Sequence, residues 1–152
     1  MIRALKNART LKRWLEGAER LSLAEGAELP GVEHLVLSAL ELPDGTARQA
    51  FAAVMAGPAD LRGAIETVHR EAAGGMEVSA APNAAKPMRL YRLTPPAQEV
   101  FQETVRLSKA DKLLLGKHAV IAACEQERGT FALALKELGI RRDTLAEAAA
   151  RL

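Results

Sequence analysis

The sequence predicts an all-α protein of eight helices, and three observations lead to that prediction. Alanine and leucine dominate the 152 residues, aromatic residues make up only 3%, and long β-branched runs are missing, a composition that favours helices over strands. Apolar residues recur at helical spacing along most of the chain. The same order of helix starts and turn signals occurs twice, which predicts two pseudo-symmetric four-helix repeats joined by a flexible linker.

The repeat is clearest at two pairs of glycines. The segment G-V-E-H-L-V-L-S-A-L begins at Gly31, and G-K-H-A-V-I-A-A-C-E begins 85 residues later at Gly116. Gly-Thr pairs begin at Gly45 and, 84 residues later, at Gly129. One gap therefore brings both blocks into register, with Gly31 matched to Gly116 as a scaffold glycine.

The first repeat, about residues 8–71, is expected to contain four helices. The first covers about Ala8–Leu23, because apolar residues recur there on one face. The second covers about Val32–Leu42 and follows a Pro-Gly break. Asp44 can cap the third helix, and Pro58 suits the first position of the fourth because its missing N–H needs no partner there.

Residues 72–92 have the composition of a linker, since Gly and Pro recur too closely for a long helix. The second repeat is expected over about residues 93–152, with Thr94 as N-cap and Pro95 at the first helical position. Its later helices are expected from Gly116 to about Glu127, from the Gly129-Thr130 pair to Leu138 with Gly139 as C′ glycine, and after the cap residue Asp143.

Composition limits the function classes. The net charge of +2 is too small to require an acidic partner. A single cysteine, Cys124, cannot form an internal disulfide, which fits a reducing compartment. The apolar runs are far shorter than the ~20 residues of a membrane-spanning helix, and no signal peptide is recognisable. We therefore expect a cytoplasmic protein that does not associate with membranes.

The motif of the second helix and the turn after it resemble the amino-terminal domain of Clp-type AAA+ unfoldases. The residues that carry the resemblance are Gly31, Glu33, His34, Leu35 and Leu37, followed by Gly45-Thr46-Ala47, and a weaker copy begins at Gly116. The resemblance covers about Ala8–Leu152 and implies eight helices in two Clp-N repeats. It also implies a module that docks substrates, tagged proteins or adaptors while a separate ATPase ring does the work.

The chain itself offers no site for ATP or another cofactor. Gly116-Lys117 is the only Gly-Lys pair, but His118 follows where a phosphate-binding loop has Ser or Thr, and Asp111 stands where that loop has its first glycine. We therefore expect either a free-standing Clp-N-like protein or a domain excised from a longer chain.

Some members of this family recognise phosphoarginine, and the resemblance implies one pocket per repeat. In each pocket a glutamate pairs with the guanidinium, and the start of the first helix holds the phosphate. The first pocket keeps Glu33, but its phosphate side falls at Ala8 and Arg9, without the family's threonine. The second keeps Thr94 but has His118 at the carboxylate position. These departures argue against phosphoarginine-bearing partners.

Several candidate residues also have purely structural interpretations. The Glu33 carboxylate lies in the first turn of a helix, where its negative charge interacts favourably with the helix dipole. His34 is expected to pack or to cap its helix, because Ser38 at i+4 rules out the usual zinc spacing, and no metal site is expected. Cys124 is expected to be a small buried residue, and no catalytic motif is present. The first twenty residues have a local excess of +4, which could contact nucleic acid or an acidic partner, but which we interpret as the solvated face of the first helix.

The sequence therefore predicts a non-catalytic protein-binding module of bacterial protein quality control. Its partners would be protein substrates, adaptors or components of a Clp unfoldase. The predicted interaction surface consists of Arg9, Lys12, Arg13, Glu33, Thr94, Lys117 and His118. A protein that senses or sequesters a small ligand directed at Clp amino-terminal domains is the main alternative. Nucleic-acid binding by the basic first helix is a third, but it lacks aromatic side chains for base stacking.

Overall fold

The computed structural model describes residues 2–72 and 92–152, and every regular element within those ranges is an α-helix. The first four helices are α1 (Ile2–Ala24), α2 (Val32–Leu40), α3 (Thr46–Ala53) and α4 (Pro58–Ala72). The second four are α5 (Pro95–Asp111), α6 (Gly116–Cys124), α7 (Thr130–Glu137) and α8 (Arg142–Ala150). The predicted eight-helix architecture is thus confirmed for the described residues. Residues 73–91 of the predicted linker lie outside them.

Local capping chemistry correctly predicts several helix ends. Thr94 is the N-cap of α5, and its Oγ1 accepts a hydrogen bond from the Ala97 N–H at 3.3 Å. Gly139 has the positive φ of 72° that favours glycine after a helix. Asp143 was expected as the cap of α8, but Arg141 is the N-cap. The Asp143 carboxylate instead accepts a hydrogen bond from Thr144 within the first turn.

Two helix boundaries differ from the predicted ones by three residues or more, and α2 ends at Leu40 rather than near Leu42. α1 begins at Ile2 rather than near Ala8, because no Gly or Pro interrupts its first turns and Asn7 fastens them to the second repeat. α6 ends at Cys124 rather than near Glu127, so this helix is shorter than its apolar pattern suggested.

The two repeats share one hydrophobic core. α2 packs against α6, α4 packs against α7, and α8 packs against α3, so elements of each repeat are covered by elements of the other. The Trp14 ring stacks on Phe101 with centroids 6.0 Å apart, and its Nε1–H donates to the Leu35 carbonyl at 2.8 Å. The largest fully buried side chains come from both repeats and include Trp14, Phe51, Leu61, Phe131, Leu135 and Leu145.

The structure corrects the alignment of the two copies. His34 and His118 are both the third residue of their helices and lie 84 residues apart, the same spacing as Gly45 and Gly129. No gap is therefore needed from the second helix onward, and the residue that corresponds to Gly31 is Leu115. The scaffold match of Leu61 with Leu145, at the same spacing, is consistent with this register.

Close packing between helices explains the glycine at position 116. A Cβ atom at this position would lie 3.0 Å from both the Ala39 carbonyl oxygen and the Ala47 Cβ. Gly116 thus allows the start of α6 to approach α2 and α3 closely, and the match with Gly31 was wrong. No helix among the described residues combines the length and apolar character needed to cross a membrane.

Candidate functional site

His34 fastens the start of α2 to the segment that follows α1. The Gly31 N–H donates to its Nδ1 at 2.9 Å, and its Nε2 lies 2.7 Å from Glu25 Oε2. Because Nδ1 accepts a hydrogen bond, the ring proton is assigned to Nε2, which donates to the carboxylate. The side chain is 3% exposed. The prediction that His34 is a capping histidine is therefore confirmed.

His118 makes the same arrangement in the second repeat. The Leu115 N–H donates to its Nδ1 at 3.0 Å, and its Nε2 lies 2.7 Å from Asp111 Oδ2. Both ring nitrogens are therefore used inside the protein, and the side chain is buried. His118 was predicted to belong to the interaction surface, but its buried ring holds the start of α6 in place.

The two histidines stabilise the charged forms of their carboxylate partners. Burial alone would raise the pKa of Glu25, but the hydrogen bond from His34 and the electrostatic attraction of His34 and His69 outweigh it, so the pKa is lowered. For Asp111 the hydrogen bond from His118 comes first and the Lys117 charge second, and together they lower the pKa. Both carboxylates therefore remain ionised at neutral pH.

In the corrected register Lys117 of the second repeat corresponds to Glu33 of the first. Each is the second residue of its helix, each is 8% exposed, and they lie 84 residues apart. The expected match of Glu33 with His118 was therefore wrong by one residue. The pseudo-symmetric positions carry opposite charges, since a carboxylate in the first repeat is replaced by an ammonium group in the second.

Glu33 folds back over the start of its own helix. A Cβ atom on Gly31 would lie 2.0 Å from Glu33 Oε1, and that oxygen is 3.3 Å from His34 Nδ1. The carboxylate thus lies at the positive end of the α2 dipole, as the structural interpretation of the sequence expected.

The starts of the first helices are exchanged between the repeats. The Thr94 N–H donates to the Pro30 carbonyl at 3.0 Å, so the start of α5 lies beside the start of α2. We call this contact the first junction; it brings Thr94 close to the turn that carries Glu33. The sequence predicted a pocket that combines Glu33 with Ala8 and Arg9, whereas Asn7, next to Ala8, contacts the α5–α6 turn.

The start of α1 instead lies beside the start of α6, and we call this contact the second junction. Asn7 Oδ1 accepts a hydrogen bond from the Leu114 N–H at 2.9 Å, and its Nδ2 donates to the Lys112 carbonyl at 3.4 Å. The second junction therefore combines the first turns of α1 with the turn that leads into α6. Asn7 was not identified from the sequence, which contains no local signal for a partner about one hundred residues away.

Asp44 also contributes to the second junction, a contact that the sequence did not predict. Asp44 was expected as the cap of α3, but Gly45 is the N-cap; the Asp44 carboxylate accepts hydrogen bonds from the Thr46 N–H at 2.9 Å and from the Gly116 N–H at 3.1 Å. Thr46 Oγ1 also accepts a hydrogen bond from the Lys117 N–H at 2.9 Å. One carboxylate thus joins the starts of α3 and α6.

The remaining predicted contact residues lie on the exposed face of α1. Arg9, Lys12 and Arg13 are all exposed. Lys12 Nζ lies 3.9 Å from Glu16 Oε1 in an exposed pair along the helix. Arg13 lines an open cleft of about 370 Å³ between α1 and α2.

A larger open cleft of about 480 Å³ lies between the end of α6 and the start of α8. Ile121, Cys124 and Ala146 contribute apolar surface, and Arg142 donates to the Cys124 carbonyl at 2.8 Å. Burial raises the pKa of the Cys124 thiol to about 12, so the thiol stays protonated, and its predicted burial is confirmed. No group of three or more potential metal ligands occurs in the described part of the chain.

Comparisons with known proteins agree with this architecture. A family profile described as the Clp repeat (R) N-terminal domain matches residues 6–138. The N-terminal domain of the caseinolytic protease associated chaperone ClpD from Arabidopsis thaliana is similar in structure, with a TM-score of 0.55 and 18% sequence identity over 96% of this chain and 90% of that chain. No curated protein matches. The structural likeness shows the fold, and the profile covers most of the sequence. The chain therefore belongs to the Clp repeat N-terminal domain family.

Proposed function

We propose that this chain is a non-catalytic docking module that binds partner proteins in protein quality control. The observation that carries this proposal is the exchange of helix starts between the repeats, which builds two junctions from residues far apart in sequence. Membership of the Clp repeat N-terminal domain family supports it. The partners would be substrates, adaptors or Clp unfoldase components, and a bacterial setting and a cytoplasmic location are part of the proposal.

The groups that most often perform catalysis are used structurally here. Both ring nitrogens of His34 and of His118 make hydrogen bonds within the protein. The Cys124 thiol is buried, and its raised pKa keeps it protonated, whereas a nucleophilic cysteine needs a lowered pKa. These side chains support binding rather than chemistry as the function.

The first junction also changes the expectation for phosphoarginine. The resemblance had placed the family's glutamate and threonine, Glu33 and Thr94, in separate pockets, whereas the start of α5 lies beside that of α2. We therefore expect any phosphoarginine binding at the first junction and none at the second, where Ala8 and Lys117 stand. Isothermal titration with free phosphoarginine, on the unaltered chain and on Glu33→Gln, tests this. Binding that survives the substitution would contradict it.

Co-precipitation from a cell lysate, followed by mass spectrometry, tests the docking function. We expect the immobilised chain to enrich Clp unfoldase components, their adaptors or unfolded clients above a bead control. A Glu33→Lys variant should change the set of enriched proteins, while Glu147→Lys, on the exposed side of α8, should leave it unchanged. Enrichment of none of these three classes would contradict the proposed function.

A small-ligand sensor is the second candidate, and the cleft beside Cys124 favours it. In the 84-residue register Ala146 corresponds to Arg62, whose guanidinium lies 3.8 Å from Glu41. The second repeat therefore has a small alanine where the first repeat has a long arginine side chain. A thermal-shift screen with compounds that target Clp amino-terminal domains tests this function. A stabilising compound should lose its effect on Ala146→Arg, which fills the cleft, and no stabilisation by any compound would remove this candidate.

A further inference from the structure

Positive charge is concentrated at the start of α1. Residues 2–13 contain five basic side chains and no acidic one, although the whole chain has a net charge of only +2. Arg3 and Lys6 in this segment are exposed, and neither forms an ion pair among the described residues. Charge separated in this way creates a local positive potential that the net charge conceals.

The second junction adds further cations to this segment. The hydrogen bonds of Asn7 hold the α5–α6 turn against α1, and Arg3 lies one helical turn before Asn7 on the same face. Lys112, in that turn, is exposed. Lys117, at the position where the first repeat has Glu33, is buried and lies 3.5 Å from Asp111.

The acidic groups of the second junction are already engaged. Asp111 accepts the His118 hydrogen bond and lies 3.5 Å from Lys117 Nζ. The Asp44 carboxylate accepts the backbone N–H groups of Thr46 and Gly116. Arg3, Lys6 and Lys112 therefore face solvent without a compensating carboxylate among the described residues.

We propose that Arg3, Lys6 and Lys112 form a docking surface for an acidic segment of a partner protein. We call these three residues the basic junction surface. The inference rests on the proposed protein-docking function and assigns one junction a partner chemistry. Carboxylates of the partner complement these cations.

A protein segment fits this surface better than a nucleic acid does. Ile2 and Leu5 lie within the same first turns of α1 and are 83% and 61% exposed, so a partner with apolar side chains can bury them. Residues 2–13 contain no aromatic side chain on which bases could stack. The occupant is therefore an acidic segment that also carries apolar residues.

Fluorescence anisotropy with the full chain and two labelled peptides tests the inference. One peptide consists of repeated Glu-Glu-Leu triplets and the other of repeated Gln-Gln-Leu triplets. We expect the acidic peptide to bind and the neutral one to bind at least about tenfold more weakly. Raising salt from about 50 mM to about 200 mM should weaken binding of the acidic peptide, because exposed charges are screened.

Charge reversal locates the binding surface. Arg3→Glu combined with Lys6→Glu should weaken binding of the acidic peptide by about tenfold or more, since each reversal converts an attraction into a repulsion. Arg48→Glu with Lys136→Glu is the matched control, because these exposed cations lie on α3 and α7. Circular dichroism should show an unchanged fold, and Arg3→Gln with Lys6→Gln provides a milder pair should the reversal disturb it.

Three results would overturn the inference: equal binding of the neutral peptide, equal weakening by the control pair, or an oligonucleotide or anionic phospholipid vesicle that binds more tightly with the same dependence on Arg3 and Lys6. Failure of the proposed function is distinguishable from these results. If Clp components, adaptors or clients still co-precipitate while the acidic peptide does not bind, only this inference fails.

Discussion

Replacing His34 with leucine removes the two hydrogen bonds that join the start of α2 to Glu25, while the side chain keeps a similar size. The Gly31 N–H is buried and loses its acceptor, which costs about 1–3 kcal/mol. The bond to Glu25 contributes about 1 kcal/mol, because that carboxylate is partly exposed and can be solvated again. The apolar leucine offsets about 1 kcal/mol through burial. We expect a net loss of about 1–3 kcal/mol.

Urea unfolding of the full chain, followed by far-UV circular dichroism at neutral pH, measures this loss as a lower midpoint at an unchanged slope. Glu25→Gln is the matched control, because its amide oxygen still accepts the ring N–H, and it should cost less than about 1 kcal/mol. His118→Leu should cost less than His34→Leu, since its backbone donor at Leu115 is only partly buried whereas that at Gly31 is buried. A His34→Leu protein as stable as the unaltered chain, or a larger loss in Glu25→Gln, would refute this reasoning.

Three further predictions concern backbone and charge. Gly116→Ala should lower the free energy of unfolding by about 1–3 kcal/mol because its Cβ meets backbone at 3.0 Å, whereas Gly63→Ala, with nothing within 4 Å, should raise it by about 0.5–1 kcal/mol in the same urea titration. Met55 has a φ of 62° and is 95% exposed, so Met55→Gly should raise the thermal midpoint, and a lower midpoint would contradict this. The lowered pKa values of Glu25 and Asp111 contribute stability that is present above their ordinary values of 4.5 and 3.8 and is lost as the pH falls through the folded values. Thermal midpoints measured against pH should therefore fall less steeply in Glu25→Gln with Asp111→Asn, and an unchanged acid limb would contradict the assignment.

Local chemistry made much of the fold predictable. Pro58 and the Thr94-Pro95 pair marked helix starts, since a proline at the first helical position and a hydroxyl cap need no distant partner. Apolar periodicity identified the helix faces that form the core. The beginning of α1 was missed because no capping residue marks it, and the body of the protein, through Asn7, holds its first turns.

The candidate site was less predictable because its contacts join residues far apart in sequence. The bond from Leu114 to Asn7 spans 107 positions and that from Gly116 to Asp44 spans 72, so neither leaves a local pattern. The repeat register did have a usable signal, since the two histidines share the 84-residue spacing of the Gly-Thr pairs. Matching glycines instead shifted the alignment by one residue and hid the charge reversal at Lys117.

The most direct test of a docking function built on exchanged helix starts is a titration of the ¹⁵N-labelled chain with dephosphorylated β-casein, an unfolded protein, followed by amide chemical shifts. Docking at the junctions predicts the largest shifts at Thr94 and Gly31 or at Asn7 and Lys117, with little change at Ala146 beside the Cys124 cleft. Shifts confined to that cleft, or none at saturating casein, would contradict the account.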